Sequence, residues 1–149
     1  MESLGGRFTE WNAEFEAFEG TSAEMLRYCM NVWWERVGMT KASGLTKLMM
    51  CEGSNFPELA EFYRREVVRP GHDLLRRILQ RGIDRGEFAQ VDIDHAIYSV
   101  VAPMVFLMLW KHSAMVCVDG ASTLDPEKYL ATQAETVLYG LTVRPGDKA

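Results

Sequence analysis

The run D-I-D-H-A-I-Y-S-V-V-A-P-M-V-F-L-M-L, residues 92–109, decides how this chain folds. Asp92 offers a side-chain acceptor for the start of a helix. Behind it Ile93, Ala96, Ile97, Val100, Val101, Met104, Val105, Met108 and Leu109 cover most of a helix circumference rather than one stripe. A helix that is apolar all round has to be buried all round. Its most apolar part, residues 96–110, is shorter than the roughly 20 residues a bilayer crossing needs, so it reads as buried in protein. Pro103 removes a backbone donor mid-run and should bend the helix near Ser99, leaving a carbonyl free and a gap for a ligand or a water.

Upstream, Phe8, Trp11, Phe15 and Phe18 recur at helical spacing and place four aromatics on one face of a first helix. Thr21 and Glu24 form a capping box that opens a second helix with Leu26, Cys29, Met30, Trp33 and Val37 inward and Gly38 as its stop. A third helix runs from Ser43 to Glu52 with Leu45, Leu48 and Met49 inward. It should end at Gly53 in a left-handed turn, with Asn55 capping the next helix and Pro57 in that helix's first turn. This fourth helix carries Leu59, Phe62 and Tyr63, meets Pro70-Gly71 at a kink or break, and resumes through Leu74, Leu75, Ile78, Leu79 and Ile83 until Gly86. Downstream of the apolar run, Asp125-Pro126-Glu127 opens a last helix with Leu130, Ala134, Val137, Leu138 and Leu141 on one stripe. No alternating strand pattern, repeat or low-complexity tract is present. The fold class is all-α, a bundle of about six helices. Residues 8–141 form one domain between loose tails at 1–7 and 142–149.

The formal net charge of −5 disfavours wrapping a phosphate backbone. Cys29, Cys51 and Cys117 have no paired spacing, which argues against a disulfide framework or zinc knuckle and for a reducing, cytoplasmic setting. Acidic residues fill the first twenty positions where a secretory segment would be apolar. Phosphate loops and a nucleophile elbow are absent, and there is no Glu-x-x-His pair for a di-metal bundle. His72, His95 and His112 lack ligand spacing, so neither a metal nor a cofactor is expected. Cys29 and Cys51 read as small core residues. Arg64, Arg65, Arg69, Arg76, Arg77, Arg81 and Arg85 read as a solvated face, paired by Glu61 with Arg65 and Asp73 with Arg77 at i to i+4.

Met30, Trp33, Met49, Phe62, Met104 and Met108 fall on inward stripes of four helices. Stripes at this spacing chiefly build core, and thioethers with broad aromatics also suit an adaptable apolar cavity. Tyr28, Tyr63, Tyr98 and His72 are the polar groups available to orient a ligand or to meet a backbone carbonyl.

The string E-G-S-N-F-P-E-L-A-E-F-Y at residues 52–63 is followed by Arg64-Arg65-Glu66. Further on come the apolar and basic run from Leu74 to Leu79 and the sequence Arg85-Gly86-Glu87-Phe88 ahead of Asp92. Together these resemble the C-terminal regulatory domain of TetR-family transcriptional regulators. The resemblance implies a homodimer in which the last two helices form a four-helix bundle with their copies. Val105, Leu109, Leu130, Ala134, Val137, Leu138 and Leu141 would then line the seam. It implies a small apolar or aromatic effector among Met30, Trp33, Met49, Phe62, Tyr63, Met104 and Met108, and no catalytic residues. It also implies a repressor whose DNA contact is made by a helix-turn-helix domain, and no such basic motif precedes Phe8. The alternative is a dimeric helical scaffold with a filled core and no effector.

Overall fold

The computed structural model describes residues 4–117 and 124–146, with side chains described for 10–112 and 124–146. It is all-α. Helices α1 (Leu4–Glu16), α2 (Ser22–Trp33), α3 (Ala42–Glu52), α4 (Pro57–Tyr63), α5 (Arg69–Asp84), α6 (Ile93–Cys117) and α7 (Pro126–Leu141) make up the bundle. Because α4 and α5 are joined by a helical turn at Arg64–Val68, the seven segments act as six rods.

Local chemistry explains the starts of these rods. Thr21 Oγ1 accepts from Glu24 N–H at 3.1 Å while the Glu24 carboxylate accepts from Thr21 N–H at 3.2 Å, the reciprocal box the sequence spells. Asp125 accepts from the Glu127 and Lys128 amides at the start of α7, with Pro126 beside it. Asp92 accepts from His95 N–H and, through its other oxygen, meets His95 Nδ1 at 2.7 Å.

Two π turns break the simple 3.6-residue count. One, at Trp34–Gly38, extends α2, and Met39 N–H reaches back five residues to Trp34 O. At its start Trp34 is buried and Trp33 only partly, the reverse of the expected inward tryptophan. Gly38 supports this by what it lacks, since a Cβ there would sit 2.7 Å from a carbon of the Trp34 ring. The other π turn, at Arg64–Val68, lies just ahead of Pro70. Proline has no N–H for the Glu66 carbonyl, and Arg69 N–H bonds instead to Arg64 O.

Four local expectations are corrected. Gly53 is right-handed (φ −56°) and starts a 3₁₀ turn, Gly53–Asn55, so no left-handed stop occurs there. Asn55 caps nothing; its amide donates to Glu52, and Phe56 stands at the α4 cap position with no side-chain bond. The inward face of α3 is Ser43, Thr46 and Met49, with Leu48 exposed and Leu45 partly so. The arginine pairs form at i to i+3, Glu61 with Arg64 and Asp73 with Arg76, instead of i+4.

The tails and the apolar run also differ. Helical backbone begins at Leu4, inside the segment read as loose, and α1 ends at Glu16, before Phe18. The side chains of Phe8 and Cys117 lie outside the described residues. Thr142 pairs with Phe88 in an antiparallel bridge, and Ala89 N–H donates to Leu141 O at 2.8 Å, which ties the chain down past α7. Residues 93–112 of α6 are long and apolar enough to cross a membrane, contrary to the shorter reading of that run. They serve as a central helix instead. Ile97, Val100 and Leu107 are fully buried in one core with Leu26, Met30, Ile78, Leu79 and Leu130.

Candidate functional site

The polar inner face of α3 creates the most unusual interior chemistry. Thr46 Oγ1 and Tyr63 Oη lie 2.6 Å apart, both residues buried, which fastens α3 to the end of α4. Burial raises the Tyr63 phenol above its ordinary range, against the smaller opposing effect of the Thr46 bond, so it stays a protonated hydroxyl at neutral pH. One turn earlier, Ser43 Oγ donates to Thr40 O at 2.9 Å and lies 2.9 Å from His112 Nε2. With the serine proton committed to a carbonyl, the imidazole donates to Ser43 and the pair has no nucleophile geometry. Lys111 Nζ donates to Gly38 O at 3.0 Å and reaches Thr40 O and Ser43 Oγ at 3.4 Å. This network pins the far half of α6 to the α2–α3 connection.

The seven candidate ligand residues are not one cluster. Met30 and Met104 belong to the main core, and Trp33 is partly buried against it. Met49 on α3, Tyr63 on α4 and Met108 on α6 are buried but stand outside that core. Phe62 is half exposed, with the Arg65 guanidinium 5.7 Å over its ring. The other candidate orienting groups lie outward. Tyr28 donates to Glu14 from a partly exposed position, and Tyr98 is half exposed with its ring edge-on to His72 at 5.4 Å. Burial, with Arg76 nearby, lowers the His72 imidazole, which keeps it neutral at pH 7.

Two surface clefts open elsewhere, between α2 and α7. The larger, about 380 Å³, is bounded by Thr21, Arg27, Phe88, Glu135, Leu138 and Tyr139; the smaller, about 170 Å³, by Met30, Asn31, Leu130, Ala131 and Ala134. The Arg27–Glu135 ion pair stands between them. Trp110 Nε1 is buried and finds no acceptor among the described residues.

The seam candidates divide sharply. Leu130, Ala134, Leu138 and Leu141 are buried inside the single chain, where α7 packs on α2 and α6. Val105 and Leu109 are only partly covered and lie outside the main core, whereas Val137 is partly covered at its edge. Around them α6 leaves Tyr98 and Ala102 exposed and Phe106 partly so, and only 28% of the apolar span of α6 is buried. The expectation of burial all round is met on one side.

Sequence reasoning did not identify a latch at the other end of α6. Glu87 accepts from Ser22 N–H at 2.5 Å, capping α2 from 65 residues away, and pairs with Arg85. Arg81 donates to Ser22 Oγ and Gly20 O, and Arg85 also to Gly20 O, where the positive φ of Gly20 turns its carbonyl within reach. The signal was present in Arg85-Gly86-Glu87-Phe88, whose Gly86 has the left-handed φ of +73° that frees the following residues to fold back.

No curated protein and no solved structure matches this chain. Residues 19–119, well over half of it, match the description "Tetracyclin repressor-like, C-terminal domain". That span begins just before the capping box of α2, includes the α3–α4 junction and the latch, and takes in all of the described part of α6. With the helical architecture in place and the match covering the elements that build it, this chain belongs to the tetracyclin repressor-like C-terminal domain family of transcription regulators.

Proposed function

We propose that residues 8–141 are the effector-binding and dimerisation domain of a cytoplasmic TetR-like repressor, acting by binding rather than by catalysis. The supporting observation is the two-sided α6. Its inner side joins the protomer core, with Met108 buried beyond it. Its outer side leaves Val105 and Leu109 unshielded, with Val137 on the neighbouring helix. An apolar face of this kind is covered when a second copy supplies the same face across a two-fold axis. The seam is therefore Val105, Leu109 and Val137, while Leu130, Ala134, Leu138 and Leu141 hold α7 within its own protomer. A small apolar or aromatic effector settling between α3, α4 and α6 favours one arrangement of α6 over another. In the dimer that changes the spacing of two DNA-reading domains carried elsewhere.

The test combines solution mass with thermal unfolding. The chain should sediment as a dimer, and Val105→Glu with Leu109→Glu should give a folded monomer. A screen of apolar metabolites should yield a saturable rise in melting temperature, since a ligand at about 100 times its Kd stabilises by about 2.7 kcal/mol. A flat screen on a dimer would overturn the effector reading in favour of a scaffold, and a wild-type monomer would overturn the dimer on which both readings rest.

A further inference from the structure

Helix α4 continues into α5 through the π turn, yet it is the least attached part of that rod. Only Tyr63 of α4 is buried and Ala60 is partly covered, while Pro57, Glu58, Leu59, Glu61 and Phe62 are exposed. Its close packing is with the two turns that flank it. Among the described residues, its one side-chain hydrogen bond to another helix is the 2.6 Å contact between Tyr63 Oη and Thr46 Oγ1 of α3. Its ion pair, Glu61 with Arg64, stays within the same segment. Both ends of α4 are joints. The 3₁₀ turn Gly53–Asn55 precedes it, and Phe56 at the cap position makes no side-chain bond. The π turn Arg64–Val68 follows, where Arg69 N–H reaches back five residues to Arg64 O. Turns of these two kinds interrupt the regular α ladder and recur at hinges and functional sites.

We propose that α4 is a lid on the inner face of α3, hinged at these two turns and held shut by the Thr46–Tyr63 hydrogen bond. Little apolar surface is lost when it swings. Leu59 and Phe62 already face solvent, so opening uncovers chiefly the Tyr63 ring. The pivot has a fixed side, because α1 packs on the π turn and Glu66, Val67 and Val68 are partly buried there. A single neutral hydrogen bond suits a catch, since its net contribution is small enough for it to be made and broken reversibly. Opening frees the hydroxyls of Thr46 and Tyr63. Under the proposed function it also gives an effector a way in between α3, α4 and α6. The lid does not depend on that reading, because its opening is measured without a ligand.

The experiment is native-state hydrogen exchange on the whole chain, followed residue by residue by NMR. In wild type the hinge amides, Phe56 and Arg64 to Arg69, should exchange together. They should exchange about a hundredfold faster than those of Leu74 to Leu79 in α5, because a local opening breaks far less than global unfolding. Thr46→Val and Tyr63→Phe each remove the catch while keeping side-chain shape. Each should speed hinge exchange about fivefold, the factor that about 1 kcal/mol of hydrogen bonding gives. The double variant should add little to either, since both changes delete the same bond. Amides of α5 and α6 should keep their wild-type rates. Hinge amides as slow in wild type as those of α5 would overturn the lid. A gradient of rates falling steadily from Phe56 into α5 would do so too, because that is fraying from one end. Variants that speed exchange evenly through the chain would make the Thr46–Tyr63 bond a support of the whole fold instead of a catch. The wild-type comparison decides the hinge even where a variant folds poorly.

Discussion

Replacing Gly82 by alanine sets two opposed effects against each other. Alanine is favoured over glycine in a helix interior by about 1 kcal/mol, so on propensity alone the change stabilises α5. Packing opposes it. A methyl on Gly82 would lie 2.7 Å from Cγ of Phe88 and closer still to two other ring carbons. Carbon atoms rest about 3.5–4.0 Å apart, so the ring must move by an ångström or more. The backbone beneath the ring cannot slide to make room. Glu87 and Phe88 N–H both donate to Gly82 O, at 2.8 and 3.0 Å, and Ala89 N–H is bonded to Leu141 O. The buried ring therefore strains or leaves, at about 1–3 kcal/mol for overpacking or for lost burial. The net expectation is a loss of about 1–2 kcal/mol, lowering Tm by roughly 2–8 °C in a chain of this size. Urea titration measures the loss, and a Phe88→Ala background identifies its origin: without the ring, the same Gly82→Ala change should stabilise by about 1 kcal/mol. Stabilisation in the wild-type background, or a loss that persists once the ring is gone, would refute the packing argument.

Glu87 is partly buried, which pushes its carboxyl up, but the Ser22 amide and hydroxyl together with Arg85 and Arg81 outweigh this and leave it below the usual range. A depressed carboxylate contributes stability that is present above its unfolded value of about 4.3 and lost as pH falls through the lower folded value. Glu87→Gln should therefore flatten the acid limb of a urea-midpoint profile, and an unchanged limb would show that the carboxylate is not acting as the α2 cap. At the α7 start, Asp125→Ala removes two amide bonds and should cost about 1 kcal/mol, with Asp125→Asn losing less. Among the described cysteines Cys51 is exposed, while burial pushes the Cys29 thiol up to about 12. Brief iodoacetamide treatment followed by peptide mass analysis should label Cys51 and spare Cys29; the opposite pattern would mean that α2 opens readily.

Three helix starts were legible, because a cap is a local event. Thr21, Asp92 and Asp125 each bond to amides within four residues, so residue type and spacing contain the information. The π turns were not legible. Each adds about one residue to a turn, which depends on how Trp34 fits over Gly38 or how the ladder adjusts ahead of Pro70, and neither alters the apolar pattern. The inner face of α3 was misread for a related reason. Leu45, Leu48 and Met49 match a helical stripe, yet Ser43 and Thr46 are drawn inward by His112 and Tyr63, partners 69 and 17 residues away. The burial of Tyr63, Met49 and Met108 was legible from spacing, whereas that of Thr46 was not, because a threonine in a short helix looks like surface.

The same limit governs the proposed seam. On α7 the stripe of Leu130, Ala134, Leu138 and Leu141 is the conspicuous apolar face, and for that reason it belongs to the protomer core, where burial is largest. A face reserved for a second copy must tolerate water until the copies meet, so it is less apolar and only partly covered, as Val105, Leu109 and Val137 are. On α6, where both faces are apolar, composition carries no sign to tell them apart. The difference lies in what holds the helix: Glu87, Arg81 and Arg85 secure the segment before Ile93, and Lys111 and His112 tie the later half to α3. The first attachment is a charge-assisted cap reinforced by the Phe88–Thr142 bridge, and the second joins Lys111 to two carbonyls and Ser43, Ser43 to His112, and Lys47 to the His112 carbonyl. Under the proposed function an effector between α3, α4 and α6 sits beside the second attachment. The half of α6 it displaces carries Val105 and Leu109, and the latched end supplies the pivot.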